Sequence, residues 1–266
     1  MARQRLDVEL VRRGLARSRD QAAEMVAGGR VKVRGVVAHK PATQVDRGDA
    51  LHVVADVGRK YVSRGANKLV GALAVFADEG LSVAGRRCLD AGASTGGFTD
   101  VLLRSGAAEV VAVDVGYGQL AWQLRQDPRV SVHDRTNVRS LTVSDIGAPV
   151  DVVVADLSFI SLSLVLPALA GVCTATADML LMVKPQFEVG KDNVGAGGVV
   201  RDVALRAASV RKIGERAADL GWGARGVTAS PLPGPAGNVE YFLWLRQDAP
   251  ALRAEDVEHA VAKGPA

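Results

Sequence analysis

The chain has 266 residues, of which 48% are hydrophobic and 23% are charged, and it contains two cysteines. That length and composition predict α/β domains with buried cores, and two cysteines are too few for a disulfide scaffold. The four histidines are scattered, so no metal site is expected. The net charge of +4 is uneven, because residues 1–60 contain 13 Lys and Arg against 7 Asp and Glu. A basic N-terminal segment indicates a module that binds a polyanion.

Two stretches bear on membrane association. The start, MARQRLDVEL, carries charges where an export signal needs an apolar run, so a cytoplasmic location is expected. Residues 157–177 carry no charge, but they are rich in Ser and Thr and include Pro167 and Gly171. This stretch is predicted to be a loop and a buried helix, and no stable membrane association is expected.

Residues 1–58 are predicted to form a small α/β domain. RLDVELVRRG is predicted to be a helix that ends at Gly14, and Ser18 with Gln21 has the spacing of a capping box. VKVRGVVA is typical of a hairpin that turns at Arg34-Gly35, and GDALHVVA supplies another strand. This order resembles the RNA-binding module of ribosomal protein S-four. The cations expected to contact RNA phosphates are Arg3, Arg5, Arg17, Arg19, Arg30, Lys32, Lys40 and, at the end of the linker, Arg64.

Residues 59–64 are predicted to be a linker, residues 65–248 a second domain, and residues 249–266 a tail that is a surface helix or partly disordered. In the second domain, short apolar strands alternate with helical segments. Nearly continuous apolar strands are typical of a parallel sheet that is buried on both faces. The order predicts an α/β fold with an open, doubly wound, Rossmann-like sheet. The predicted strands are RRCLDAG, EVVAVDVG, RVSVHD, DVVVADLSF, DMLLMVKP, ARGVTASPL and VEYFLWLR.

A glycine-rich turn, LDAGASTGGFTD, spans residues 89–100 at the end of the first of these strands. It lacks the middle glycine of the dinucleotide fingerprint and the lysine of a Walker loop, so a nucleotide phosphate is a poor fit. Asp90 would repel a pyrophosphate, whereas Asp114, at the end of the next strand, is placed to accept ribose hydroxyls. S-adenosylmethionine (AdoMet), a cationic cofactor with an adenosine group, suits both. The expected cofactor residues are Asp90, Gly92, Ser94, Thr95, Gly96, Gly97, Phe98, Asp114 and Asp134.

That turn also has a simpler interpretation. On this interpretation, the small residues of the turn have no role beyond letting the following helix pack against the strand, and Phe98 is expected to pack that helix. A lone glycine turn therefore does not by itself establish a cofactor site.

Four further polar residues are expected at the ligand-binding edge of the sheet. Asp156 closes the fourth strand, Lys184 closes the fifth, Glu240 opens the last, and Lys68 lies on the helix before the first. This set resembles the Lys-Asp-Lys-Glu tetrad of FtsJ-like ribose 2′-O-methyltransferases. A ribose hydroxyl is a weak acid, so it must be oriented and deprotonated as it attacks a methyl group. We expect Lys184 to be the base, Lys68 to position the hydroxyl or its phosphate, and the two carboxylates to align them.

Methylation of a nucleobase is a weaker alternative. A methylase of amino groups would need an Asn/Asp-Pro-Pro-aromatic strand end, but Asp156 is followed by LSFIS. A methylase of base carbon atoms would need a nucleophilic cysteine, but neither cysteine is expected at a strand tip that faces the cofactor, and Cys88 lies inside the first predicted strand. Both alternatives are disfavoured.

Long motifs extend the resemblance over almost the whole chain. YVSRGANKL, DAGASTGGFTD, DVGYGQL, ADLSFISL, MVKPQFEVGK and GNVEYFLWL, together with the N-terminal module, resemble the TlyA family. The resemblance implies a class I methyltransferase sheet whose last strand is antiparallel. It also implies AdoMet-dependent 2′-O-methylation of cytidine in 16S and 23S ribosomal RNA, which is linked to capreomycin and viomycin susceptibility. Ribosomal subunits are the expected partners.

Two alternatives from other classes stay open at this point. Members of the family also carry the name haemolysin, and a membrane-active protein needs a lipid-facing helix or amphipathic strands. A ribosome-assembly factor without catalytic activity would bind RNA but not AdoMet. The loop EVGKDNVGAGGVV after Lys184 is expected to be mobile and to close over a flipped-out target nucleotide.

Overall fold

The computed structural model of the chain describes residues 3–16, 18–27, 29–53 and 61–264. The chain divides into two compact units, residues 1–60 and residues 61–266. Residues 59 and 60 of the predicted linker lie outside the described residues, whereas residues 61–64 group with the second unit. Each unit has a hydrophobic core of its own.

In its described residues, the first unit combines two helices with short antiparallel strands. Its elements are β1 (Gln4–Arg5), α1 (Leu6–Arg12), α2 (Arg19–Ala27), β2 (Val31–Val33), β3 (Val36–Val37), β4 (Gln44–Val45) and β5 (Leu51–Val53). β1 pairs with β4, and β2 lies between β3 and β5. The Ser18 hydroxyl accepts a hydrogen bond of 3.1 Å from the backbone N–H of Gln21, so the predicted helix cap forms. Arg34 and Gly35 have φ angles of 50° and 84°, which are typical of a two-residue hairpin turn.

The second unit is built on a sheet with seven strands in the described residues. The strands are β6 (Arg87–Ala91), β7 (Glu109–Val113), β8 (Val130–His133), β9 (Val150–Ala155), β10 (Cys173–Val183), β11 (Gly223–Ala229) and β12 (Tyr241–Arg246). Their order across the sheet is β11-β12-β10-β9-β6-β7-β8. β12 runs antiparallel to both of its neighbours, whereas the other strand pairs are parallel. The predicted doubly wound sheet with an antiparallel last strand is therefore confirmed.

Two hydrophobic clusters lie on opposite faces of this sheet. Consecutive residues of β6 belong to different clusters, Cys88 to one and Leu89 to the other. Because both faces are covered, the strands are apolar over most of their length, which explains their nearly continuous hydrophobic runs. The covering helices are α3 (Ala66–Phe76), α4 (Gly97–Arg104), α5 (Trp122–Arg125), α6 (Val143–Ile146), α7 (Leu162–Gly171), α8 (Pro185–Glu188), α9 (Val203–Ala218) and α10 (Ala254–Ala262).

The uncharged stretch 157–177 is a helix followed by a strand. The predicted buried helix is α7, but residues 173–177, predicted to be non-strand, form the start of β10. Thr174 and Thr176 are β-branched and favour extended backbone, and Cys173 pairs with Val150 across the sheet. In the part of the chain that the structure describes, no helix is both long and apolar enough to cross a membrane.

Residues 249–264 contain α10, which packs on the second unit. Val257, Ala260 and Val261 are buried and have the i, i+3, i+4 spacing of one helix face. The helix contacts β11 and α9. The segment predicted as a tail thus contributes to the core of the second unit.

Candidate active site

The register of the sheet places predicted site residues at one edge. β9 pairs with β6 as far as its last residue, and Asp156 follows directly. The last pair between β10 and β12 is Val183 opposite Tyr241. Lys184 and Glu240 are the next residues on those strands, so they lie opposite each other one step beyond the ladder. This edge contains the carboxyl ends of the parallel strands, where open α/β sheets bind ligands.

Two lysine–carboxylate pairs form at this edge. Lys184 Nζ lies 2.5 Å from Asp156 Oδ1, and Lys68 Nζ lies 2.5 Å from Glu240 Oε2. Both lysines and Glu240 are buried, so solvent and salt screen these charges little. Lys68 reaches the edge from α3, which precedes the first strand of the sheet. The four residues predicted as a tetrad are thus brought together as two ion pairs.

The surroundings of Lys184 include residues that the sequence did not single out. Lys184 Nζ lies 3.1 Å from Ser158 Oγ and 5.9 Å from the centre of the Phe187 ring. The Phe187 ring is 5.4 Å from the ring of Phe159, a residue that is 92% exposed. Phe159 has a φ of 63°, in the left-handed region, which costs a bulky residue about 1–3 kcal/mol unless its surroundings hold it there.

A cleft of about 460 Å³ adjoins these residues. It is lined by Gly92, Ser94, Asp114, Val115, Gln119, Asn137, Val138, Asp156, Leu157, Ser158, Phe159, Ile160 and Val165. Residues of the glycine turn, the carboxylate after β7 and one member of the tetrad therefore meet in a single cavity. Its volume is that of a small-molecule site, roughly 300–1,000 Å³. A larger cavity, about 620 Å³, is lined instead by residues of α9 and α10 and by Asp202.

The glycines of the turn are required by close packing. A Cβ on Gly92 would lie 2.8 Å from the carbonyl oxygen of Asp156, and one on Gly96 would overlap Leu124. A Cβ on Gly97 would overlap the hydroxyl of Ser63. Gly96 and Gly97 therefore let α4 pack closely, as the simpler interpretation of the turn requires, whereas Gly92 lines the cleft.

Asp114 connects the glycine turn to the end of β7. Its carboxylate accepts hydrogen bonds from the backbone N–H groups of Ser94 (2.8 Å) and Gly116 (2.7 Å). A carboxylate has about four acceptor positions, so two of them remain for a ligand in the cleft. Gln119, which lies in the motif DVGYGQL but was not among the expected cofactor residues, also lines the cleft, and its side-chain oxygen lies 3.3 Å from Ser94 Oγ.

Three other residues predicted to bind the cofactor lie away from the lining of the cleft. Phe98 is buried, and its ring lies 6.1 Å from that of Phe242, so its side chain belongs to the core. Asp134 pairs with Arg125 at 2.7 Å, and this hydrogen bond holds the pKa of Asp134 below its ordinary value. Thr95 is exposed, and its carbonyl oxygen accepts from the backbone N–H of Ala121. These side chains are absent from the lining of the cleft.

Asp90 is a fully buried carboxyl beside the cleft. Thr99 Oγ1 donates a hydrogen bond of 2.6 Å to its Oδ2, whereas its Oδ1 has no hydrogen-bond partner among the described residues. The pKa of Asp90 is raised to about 7, chiefly by burial and also by the charges of Asp156 and Asp114, while the hydrogen bonds from Thr99 oppose the increase. A buried acceptor with a free position and two neighbouring carboxylates favours a cation at this place.

The cysteines offer no nucleophile. Burial raises the pKa of Cys88 and of Cys173 to about 12, so both are thiols at neutral pH. Cys88 lies inside β6, as predicted. In the described part of the chain, no cluster of His, Cys, Asp and Glu side chains could hold a metal ion.

The glycine-rich segment after Lys184 is exposed for most of its length. It contains short 3-10 turns at Lys191–Asn193 and Ala196–Gly198. Its end is held by the buried side chain of Asn238, which accepts from the backbone N–H of Val200 at 2.9 Å and donates to the carbonyl of Gly198 at 2.8 Å. The predicted closure of this loop over a target stays a prediction.

In the first unit, Asp7 organises two of the predicted RNA contacts. Asp7 Oδ2 lies 2.8 Å from Arg5 Nη2 and 3.4 Å from Arg19 Nη2. The hydrogen bond from Arg5 is the largest cause that lowers the pKa of Asp7 to about 2. Asp7 is buried, while both arginine side chains remain exposed. The carboxylate therefore orients two cations toward solvent.

The other predicted RNA contacts differ in their exposure. Arg3 lies 3.8 Å from Asp46, Arg30 and Lys32 are half-buried, and Lys40 is exposed. Arg64 is exposed on the second unit, and Arg17 lies outside the described residues.

Comparison with known proteins gives strong matches over both units. The model of the S4 domain matches residues 4–51, and that of FtsJ-like methyltransferases matches residues 61–247. The 16S/23S rRNA (cytidine-2'-O)-methyltransferase TlyA of Mycobacterium tuberculosis is 65% identical over 97% of this chain and 96% of its own length. Hemolysin A of Brachyspira hyodysenteriae is 37% identical over 90% of this chain and 98% of its own. A solved structure described as a hemolysin of Streptococcus thermophilus has a TM-score of 0.76 and 38% identity, covering 99% of this chain and 96% of that one.

Proposed function

Because the chain belongs to the TlyA family of FtsJ-like methyltransferases, with an S4 domain at its N-terminus, we propose that it methylates the 2′-hydroxyl of cytidine in 16S and 23S ribosomal RNA with AdoMet. The observation that carries this proposal is the pairing of Lys184 with Asp156 at the edge of a cleft lined by Gly92 and Asp114. An enzyme that modifies ribosomes works where ribosomes are, so the proposed location is the cytoplasm.

The cleft suits AdoMet better than a phosphate-bearing cofactor. Its lining includes two aspartates and no lysine or arginine, so it favours a cation over a pyrophosphate. Asp114 would hold the ribose of the adenosine group, and the turn at Gly92 and Ser94 would approach the methionine part. When bound, AdoMet supplies a methyl group on a positively charged sulfur atom.

The residues of the two ion pairs would divide the remaining work. Lys184 Nζ would first release its own proton to solvent and would then, as a neutral amine, take the proton from the ribose hydroxyl; Asp156, 2.5 Å away, would stabilise the ammonium that is restored. Lys68, fixed by Glu240, would bind the hydroxyl or its phosphate and so align it. Most of the rate enhancement would come from this alignment of hydroxyl and methyl group.

The proposal is tested by incubating the protein with labelled AdoMet and separate small and large ribosomal subunits. Methyl groups are expected in both, at positions that resist alkaline cleavage because their 2′-hydroxyl is blocked. Expression in a host without these modifications should then increase its susceptibility to capreomycin and viomycin. Failure to label either subunit would exclude the proposed reaction.

AdoMet affinity should depend on the ionisation of Asp90. Below pH 7 this carboxyl is mostly neutral in the cofactor-free protein, and above pH 7 it adds a negative charge beside the cleft. We expect the dissociation constant to fall by on the order of three- to tenfold between pH 6 and pH 8. Because its pKa is raised from 3.8 to about 7 in the folded state, Asp90 lowers the stability of the cofactor-free protein as the pH rises from about 4 to about 7, and the loss is complete above pH 7.

Calorimetry at several pH values measures this dependence, with Asp90→Asn as the control. The amino group of AdoMet also titrates near pH 8, so only the difference between wild type and Asp90→Asn reports on Asp90. Equal pH dependence in the two proteins would contradict the assignment. A complete lack of AdoMet binding would instead favour an RNA-binding factor without catalytic activity.

Arg19 should contribute one phosphate contact to RNA binding. We expect Arg19→Gln to weaken binding of ribosomal RNA and to reduce the slope of log K against log salt by about 0.7–0.9. The control is Arg12→Gln, because Arg12 is a similarly exposed arginine that Glu9 already holds at 2.6 Å. Filter binding at four salt concentrations gives both slopes, and an unchanged slope for Arg19→Gln would remove Arg19 from the RNA interface.

A further inference from the structure

Glu188 has a buried carboxylate that joins three parts of the second unit. It lies at the end of α8, four residues after Lys184. Its Oε2 accepts from Ser161 Oγ at 2.5 Å, and its Oε1 accepts from the backbone N–H of Leu162 at 2.8 Å. Lys212, on α9, lies 3.3 Å from Oε2 and donates to the backbone carbonyl of Glu188 at 2.9 Å. The carboxylate has several partners, although it is absent from the lining of the cleft.

These contacts close a ring of two short segments. One segment runs from Asp156 to Ser161, between β9 and α7, and the other runs from Lys184 to Glu188 after β10. Asp156 pairs with Lys184 where the segments leave the sheet, and Glu188 binds Ser161 where they end. Each segment is therefore held at both ends, and Ser158 lies between the two anchors, where it meets Lys184.

The strained backbone within the ring needs such an anchor. Phe159 has a φ of 63°, and the residue is almost wholly exposed, so its ring contact with Phe187 covers little of its surface and does not by itself fix the backbone. A left-handed conformation persists where the surrounding structure over-determines it. The fixed ends at Asp156 and Ser161 provide that constraint.

We propose that Glu188 is a positioning residue for methyl transfer, which fixes the Asp156–Ser161 segment so that Asp156 and Ser158 meet Lys184. Without its carboxylate, the segment loses its second anchor and the backbone at Phe159 relaxes. Asp156 then samples positions away from Lys184. This inference rests on the proposed function, because it assigns Glu188 an effect on the same site.

Removal of the carboxylate should lower the turnover number more than it changes binding. We expect Glu188→Ala to reduce kcat by about 10- to 100-fold, since misplacement of catalytic groups by about 1 Å has effects of that size. The KM for the ribosomal subunit should change less than about threefold, because the partners of Glu188 in the described part of the chain, Ser161, Leu162 and Lys212, are not among the predicted RNA contacts. Glu188→Gln should retain kcat within about threefold, because its amide oxygen still accepts from Leu162.

The matched control is Glu215→Ala, an exposed glutamate on the helix that carries Lys212, which should leave kcat and KM unchanged. Deuterium uptake of the 156–162 peptide is a second measurement that needs no activity: Glu188→Ala should speed it and Glu188→Gln should not. Wild-type kcat or wild-type uptake in Glu188→Ala would overturn the inference, as would failure of Glu188→Gln to rescue both. If wild type itself transfers no methyl group, the proposed function fails, and the uptake measurement still decides whether Glu188 holds the segment.

Discussion

Replacement of Lys184 by methionine is expected to lower the rate of methyl transfer by about 10²- to 10⁴-fold, the range typical of a lost general base. Methionine keeps most of the aliphatic volume of the side chain but removes the nitrogen that contacts Asp156 and Ser158. Binding of AdoMet should change little, because Lys184 does not line the cleft. The effect should therefore appear in kcat, measured with labelled AdoMet and isolated ribosomal subunits.

The matched control for Lys184 is Lys191→Met. Lys191 is an exposed lysine in the loop that follows α8, so its replacement tests the loss of a positive charge in the same region. Its kcat should stay near that of wild type. If Lys184→Met transfers methyl groups at the wild-type rate, Lys184 is not the base, and Lys68 becomes the remaining lysine of the tetrad for that role.

The same variant separates methyl transfer from the activity that the hemolysin names suggest. Relatives of this chain carry both kinds of name. Lysis of erythrocytes by wild type and by Lys184→Met should be equal if any lytic activity is independent of methylation. A parallel loss of both activities would connect lysis to the methyltransferase site.

Sequence patterns were sufficient for the sheet because its strands are buried on both faces. The four buried residues of β7, from position 110 to Val113, are all apolar, and the strand ends where the polar Asp114 follows. The same reasoning located Asp156 and Lys184, since both follow apolar runs directly. Strands β1 and β4, with two residues each, are too short to show any period, and they were not predicted.

The partners within the site depend on contacts that no local pattern encodes. Lys68 pairs with Glu240 across 172 positions of the chain, and that pairing requires the antiparallel register of β12. Glu188 resembles any polar residue at the end of a short helix until Ser161 and Lys212 are placed beside it. The glycines of the turn that tolerate no side chain are likewise determined by contacts with residues distant in the sequence.

The pair of Lys68 and Glu240 should affect stability and activity in separable ways. Both side chains are buried, and Glu240 Oε1 has no hydrogen-bond partner among the described residues. Lys68→Met leaves the carboxylate of Glu240 buried without its cation, which is expected to cost about 3–5 kcal/mol of unfolding free energy. The double variant Lys68→Met with Glu240→Gln removes both charges at similar volume and should recover most of that loss.

Urea unfolding followed by tryptophan fluorescence measures this effect in the second unit alone, because the three tryptophans of the chain, at positions 122, 222 and 244, all lie in it. The control pair is Arg253 with Asp256, an ion pair of 2.6 Å that is largely exposed. Its removal should cost less than about 1 kcal/mol, as is typical of surface pairs.

In the double variant, the rate of methyl transfer should stay low even though the stability recovers. Lys68→Met and the double variant both lack the cation proposed to align the hydroxyl, so each should lose about 100-fold in kcat. A double variant that is stable and fully active would show that the pair serves only the fold. A double variant that is stable but inactive would show that the buried charges are retained for alignment of the substrate, since a neutral pair of the same size satisfies the core without them.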